Sequence, residues 1–128
     1  MKIKTEGLNI GEAKFFVSSH GDCMDSDNSP LRIHEGDIIG LHEVEISDVA
    51  NYKGKLVGVV LTNGMRLIKE MVGRFETTSF SEEVKPTKGI ILKCYNPKPK
   101  TMYFQDSDIV RVFAVDCHFR RADLNFIE

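Results

Sequence analysis

The sequence has no tryptophan and only three cysteines, Cys23, Cys94 and Cys117, none of them in a C-x-x-C pair. An odd, widely spaced set provides neither a disulfide framework nor a zinc knuckle, so each thiol poses a question of individual reactivity. Long apolar runs are missing as well. The longest, Leu56–Leu61, falls far short of the roughly 20 residues of a membrane helix, and Met1–Glu6 lacks a signal-peptide core. The expectation is a cytoplasmic protein with no membrane partner. Charge of one sign is not in excess, with Lys+Arg 17 against Asp+Glu 19 and a net charge of −2. This balance offers no footprint for gripping a phosphate backbone, so direct nucleic-acid binding by this chain is not expected.

What is present fits one globular domain: 128 residues, 41% hydrophobic and 28% charged. Helical periodicity is scarce. The apolar clusters are short, rich in Val, Ile and Phe, and bounded by Gly, Asn, Asp or Pro, which predicts an all-β chain with at most short helical turns. Strands are expected at Lys14–Ser19, Asp37–Val44, Lys55–Thr62, Met65–Val72, Gly89–Tyr95, Thr101–Gln105 and Ile109–Phe119, with a helical turn at Ile46–Tyr52. Residues 1–13, with Gly7 and Gly11, read as a flexible lead-in, leaving 14–128 as the folded domain. The polar stretch Gly73–Lys88, around Phe75 and Phe80, reads as a long connection.

Asn63-Gly64 suits a two-residue type I′ turn, which accepts positive φ at both central positions. That register pairs Val60 with Leu67, Gly58 with Lys69 and Leu56 with Met71. Lys69 is then the one charge on an apolar face, with open space beside it over Gly58. Desolvation disfavours a charged amine, so a lysine placed this way suits a general base. The competing reading is a lysine whose stem packs while its head reaches water.

Other clusters carry less. Asp22, Asp25, Asp27, Asn28 and Glu35 suggest calcium, but a loop begun at Asp25 places Pro30 where glycine is needed and Gly36 where the bidentate glutamate belongs. A solvated acidic turn is the better account. His20, His34, His42 and His118 have no metal-ligand spacing, and no metal or cofactor is expected. Lys93, Lys98 and Lys100 around Tyr95 form a patch too short for nucleic acid and read as a solvated turn.

Several segments fit one family in order. His20-Gly21-Asp22-Cys23-Met24-Asp25, followed by Glu35-Gly36-Asp37-Ile38-Ile39, resembles the "G-D-S-M … G-D" signature of the LexA-like self-cleaving repressor peptidases, a family that includes phage repressor C-terminal domains. Leu67-Ile68-Lys69-Glu70-Met71 resembles the strand that holds the general-base lysine in that family. Ile90–Pro97 is similar to its "I-x-L-x-S-x-N-P" segment, and Ile109–Val115 to its closing strand.

The resemblance implies a peptidase fold of twisted antiparallel sheets. It also implies a nucleophile activated by a lysine, with backbone N–H groups of the turn at Gly21, Asp22 and Met24 stabilising the oxyanion, and Gly36, Asp37 and Gly58 supporting the cleft. Lys69 matches the family pattern, whereas Cys23 stands where it has serine. A thiol, titrating near ~8.5 when free, is a competent nucleophile and could rest as a thiolate beside an ammonium. The usual self-cleavage dipeptides, Ala-Gly and Cys-Gly, do not occur in this sequence, and no helix-turn-helix precedes the first strand.

The family's role in transcription regulation and the SOS response therefore points to a regulatory or dimerisation domain without normal self-cleavage. An active Cys23/Lys69 peptidase cutting another chain and an unrelated β-rich binding module are the alternatives. The expected partners are a second copy and a DNA-binding protein or domain in another chain. Ile109–Phe119 is long and apolar, a hazardous edge unless another chain or a loop covers it.

Overall fold

The computed structural model describes residues 2–77 and 86–127. Seven strands form one antiparallel sheet: β1 (Phe15–Ser18), β2 (Ile38–Val44), β3 (Leu56–Leu61), β4 (Arg66–Glu76), β5 (Lys88–Cys94), β6 (Lys100–Gln105) and β7 (Ile109–Phe119). Their order across the sheet is β1-β2-β7-β3-β4-β5-β6. Among the described residues only 3₁₀ turns accompany them, at Ile46–Tyr52, Asp106–Asp108 and Arg121–Asp123, so the all-β expectation holds. Among the described residues no helix is long and apolar enough to cross a membrane.

The alternating Val and Ile residues of β3, β5 and β7 bury one face. Val57, Val59, Ile90, Leu92 and Val112 pack with Met71 of β4 and with Val49 from the first 3₁₀ turn. A second cluster forms over β2, where Met24 and Ile33 from the β1–β2 connection meet Ile39, Leu41 and Leu56. This second cluster carries the turn that holds Cys23. A third joins Ile3, Ile38 and Leu124, and here Ile3 departs from the flexible lead-in expected of its segment. Ile3 is only 5% exposed and bridges Phe126, while Lys4 N–H donates to the Asn125 carbonyl at 2.8 Å. An isolated apolar residue in a polar stretch gave no periodic signal, yet it completes a strand-like contact with the other end of the chain.

Two further expectations are corrected. The β3–β4 connection is a three-residue loop: Leu61 N–H bonds the Met65 carbonyl at 2.9 Å, and Gly64 alone takes positive φ, at 87°. Asn63 spends its side-chain oxygen on Met65 N–H at 2.9 Å, which closes the loop without a positive φ at Asn63. The register therefore slips by one residue. Lys69 faces Val57, and Gly58 faces Ile68. Nor is Gly58 open, because a Cβ there would touch Phe113 at 3.5 Å and Leu41 at 3.7 Å.

The second correction concerns β7, which is no edge. It sits between β2 and β3 and is hydrogen-bonded along both sides, so its apolar length is explained by central burial. Among the described residues the outermost strands are β1 and β6. β4 runs on to Glu76, beyond the expected end at Val72, held by Arg74 donating twice to Asp106 at 2.9 and 2.7 Å. The expected connection around Phe80 lies outside the described residues.

Gly40 marks a register shift between β2 and β7, where a Cβ would lie 2.5 Å from the Cys117 sulfur and 2.9 Å from the Ala13 Cβ. Gly40→Ala is expected to cost about 1–3 kcal/mol by overpacking, read as a lower urea midpoint, with part of the loss restored in a Cys117→Gly background. An unchanged midpoint would show that this corner yields freely.

Candidate functional site

The chain leaves β1 at Ser18 and turns back toward β2 through residues whose polar groups are satisfied locally. Gly21 takes φ +80°, a conformation L side chains rarely adopt, and lets the turn reverse before Cys23. Asp25 N–H closes it on the Asp22 carbonyl at 2.8 Å, and Met24 drops into the second cluster. At the far end of the connection Gly36, at φ +87°, precedes Asp37, which is 2% exposed. The Asp37 carboxylate accepts the His34 N–H at 2.9 Å and lies 3.8 Å from Arg120. Gly36 and Asp37 thus fasten the loop and do not line the cleft described below.

The turn is pinned to the end of β5. The Cys23 carbonyl accepts Tyr95 N–H at 2.9 Å and Asn96 N–H at 2.8 Å, while the Asn96 side-chain amide donates to the Asp22 carbonyl at 3.0 Å. Cys94 directs its thiol to the same Cys23 carbonyl at 3.3 Å. These bonds bring Cys23 over β4, where Lys69 Nζ donates to Cys23 Sγ. Lys69 is only 7% exposed. Residues 46 positions apart in sequence therefore meet side chain to side chain.

Electrostatics at the sulfur favour the protonated thiol over the thiolate that a neighbouring ammonium could hold. Burial pushes the Cys23 thiol above its ordinary value; the Lys69 hydrogen bond and charge pull it down, and Cys94 adds a smaller upward push. Desolvation penalises the charged form of an isolated thiol, and one nearby amine does not outweigh it here.

Beside the pair opens a cleft of about 650 Å³. Its walls are mostly apolar, with Phe15 and Val17 of β1, Leu41 of β2, Leu67 and Ile68 of β4, and Phe113 of β7. Phe15 and Phe113 meet edge to face at 6.1 Å between centroids, and Arg111 stacks over Phe113 at 5.3 Å. Gly21, Cys23, Met24, Gly58 and Lys69 all contribute to the lining, whereas Asp22 takes part only through its carbonyl.

Several partners escaped sequence reasoning. Tyr95 donates its hydroxyl to Glu70, a tie from β4 to the segment that holds the Cys23 carbonyl. Burial and the Glu70 carboxylate push the Tyr95 phenol up to about 12. A raised phenol keeps its proton after the unfolded chain has lost its own, so this group's contribution to stability is present below pH ~10 and declines as pH rises toward about 12. The expected result is a tyrosinate absorbance step near 12 that disappears in Tyr95→Phe; three tyrosines titrating together near 10 would refute the assignment.

Elsewhere, His42 Nδ1 lies 2.7 Å from Asp116 and its Nε2 lies 3.5 Å from Glu12, a convergence invisible in spacing. The acidic turn is tied by Arg32, which reaches Asp25 at 2.7 Å and Asp27 at 2.5 Å. Lys93 sits over the Tyr95 ring at 4.9 Å. No family model, curated protein or solved structure matches this chain.

Proposed function

We propose that this chain is a LexA-like peptidase-fold regulatory domain that seats an extended apolar segment of a polypeptide in the cleft over Cys23, without normal self-cleavage. The observation that carries this reading is the convergence of the apolar cleft on the Lys69–Cys23 hydrogen bond. A cavity of this size with apolar walls and a few polar groups at one end is the usual form of a site that orients a ligand. The thiol held up by burial favours holding a segment over cutting it.

A second reading, an active dyad acting on another chain, is favoured by the Lys69–Cys23 contact itself. In that chemistry the Lys69 amine takes the thiol proton and the sulfur attacks a peptide carbonyl carbon. The resulting oxyanion is held by backbone N–H groups. The amine product leaves with the proton, and water then hydrolyses the thioester. The N–H groups of Cys23 and Met24 donate to no backbone carbonyl among the described residues, so they are the available donors.

An apolar tetrapeptide aldehyde separates these readings. It is expected to protect Cys23 from iodoacetamide in the wild type and to lose that effect in Phe113→Asp. Protection absent from the wild type overturns the proposal. The same peptide extended as an amide on both sides of the aldehyde position remains intact in the holding reading and appears as two fragments in the cutting one. Pairing of two copies falls to the outermost strands β1 and β6, with a DNA-binding chain as the further partner. Sedimentation showing only monomer at high concentration counts against that pairing.

A further inference from the structure

We propose that Cys23 and Cys94 form a reversible intramolecular disulfide that switches the Cys23 site off. The observation is the way the end of β5 is stitched to the Cys23 turn. Backbone N–H groups of the two residues after Cys94 both bond the Cys23 carbonyl, and the Cys94 thiol reaches that carbonyl at 3.3 Å. The Cys23 turn and the end of β5 are thus held together by backbone bonds that involve neither sulfur. A disulfide needs its Cα atoms within roughly 4.4–6.8 Å, and a turn hydrogen-bonded directly to the end of β5 brings two backbones into that neighbourhood. The side chains are also near enough for Cys94 to act on the ionisation of Cys23.

The two thiols differ in access. Cys23 lines the cleft, whereas Cys94 is buried behind it. A small oxidant entering the cleft meets Cys23 first and finds Cys94 in the position of a resolving thiol. With a hydroperoxide as oxidant, the Cys23 sulfur attacks the distal peroxide oxygen. The O–O bond breaks, the alcohol or water leaves, and Cys23 becomes a sulfenic acid. The Cys94 sulfur then attacks the Cys23 sulfur, the S–S bond forms, and the sulfenic oxygen departs as water. Two thiols are oxidised and one hydroperoxide is reduced. A dithiol reverses the step by exchange.

The third cysteine stands apart. Cys117 lies on β7 against the Gly40 backbone and serves as the internal control. Oxidation ties the Cys23 sulfur into the S–S bond, so it can form neither a hemithioacetal nor a thioester. This regulatory consequence rests on the proposed function; formation of the disulfide does not.

The test exposes the full chain to hydrogen peroxide near pH 8, blocks remaining thiols with N-ethylmaleimide and maps the peptides by mass. The expected wild-type product is lighter by two hydrogens, links Cys23 to Cys94, leaves Cys117 blocked and reverts with dithiothreitol. In Cys94→Ser, Cys23 is expected to accumulate as a dimedone-reactive sulfenic acid and then over-oxidise. Cys117→Ser is expected to behave as the wild type. A linkage through Cys117, or over-oxidation of Cys23 at the same rate with and without Cys94, overturns the proposal. Aldehyde protection of the reduced chain reads the cleft separately, so failure of one inference is distinguishable from failure of the other.

Discussion

Lys69→Met is expected to slow alkylation of Cys23 at neutral pH by about tenfold or more, while leaving the fold equally stable or more stable by up to about 2 kcal/mol. Both contributions of Lys69 at the sulfur, the hydrogen bond and the charge, favour the thiolate. With them gone, burial acts unopposed and the thiol moves further up. Each unit of that movement is a factor of ten in thiolate at a fixed pH below the transition.

Stability moves independently. Lys69 is nearly fully buried, and keeping an amine there costs solvation that a methionine of similar length does not forgo. The pH dependence follows the same sign. A thiol whose folded value is raised loses its proton later than in the unfolded chain, so stability is held below the ordinary thiol value and falls as pH climbs through it toward the folded value. In Lys69→Met the decline extends to higher pH. Iodoacetamide rates and urea midpoints measured across pH check both halves, and an alkylation rate indifferent to residue 69 would remove Lys69 from any account of this site.

The strands were legible because they are short, β-branched and punctuated. Ile109–Phe119 falls where the apolar pattern put it, and the helical turn Ile46–Tyr52 where local helix preference put it. What local pattern does not carry is who neighbours whom. β7 has the same composition whether it lies at an edge or at the centre, and only its pairing with both β2 and β3 decides. The hairpin register turned on one side chain. Asn63 was expected to take positive φ, and its side-chain bond to Met65 N–H instead favours the longer loop.

That slip replaced Gly58 by Val57 opposite Lys69, yet Lys69 still reaches Cys23. The pairing of Cys23 with Lys69 was suggested by motif order, and the turn anchored on β5 is what brings it about. That anchor is made of backbone groups at Tyr95 and Asn96, whose partners no side-chain pattern advertises. The direction of the Cys23 shift was not legible for a related reason. A lysine beside a cysteine is visible as a motif, whereas the depth at which the tertiary fold buries the sulfur is not.

Met24→Ala is expected to cost about 2–5 kcal/mol and, unlike other core truncations of equal cost, to make Cys23 more reactive. Met24 is 4% exposed and packs among Ile33, Ile39, Leu41 and Leu56, so its removal leaves a cavity under the Cys23 turn. The turn is held from two directions. Backbone bonds to Tyr95 and Asn96 N–H groups hold it from the side, and the Met24 side chain holds it from below.

Truncation leaves the first hold and removes the second. Burial is the largest influence raising the Cys23 thiol, so admitting water beneath it lowers the thiol toward its ordinary value while the Lys69 hydrogen bond is retained. Leu92→Ala is the matched comparison. Leu92 is fully buried in the other cluster, and its truncation also costs about 2–5 kcal/mol. It belongs to the first cluster and not to the one beneath the Cys23 turn, so Cys23 should alkylate at the wild-type rate. Equal acceleration in both variants would mean that Cys23 reactivity follows global loosening of the sheet; acceleration confined to Met24→Ala would place control of the thiol in the packing beneath its own turn.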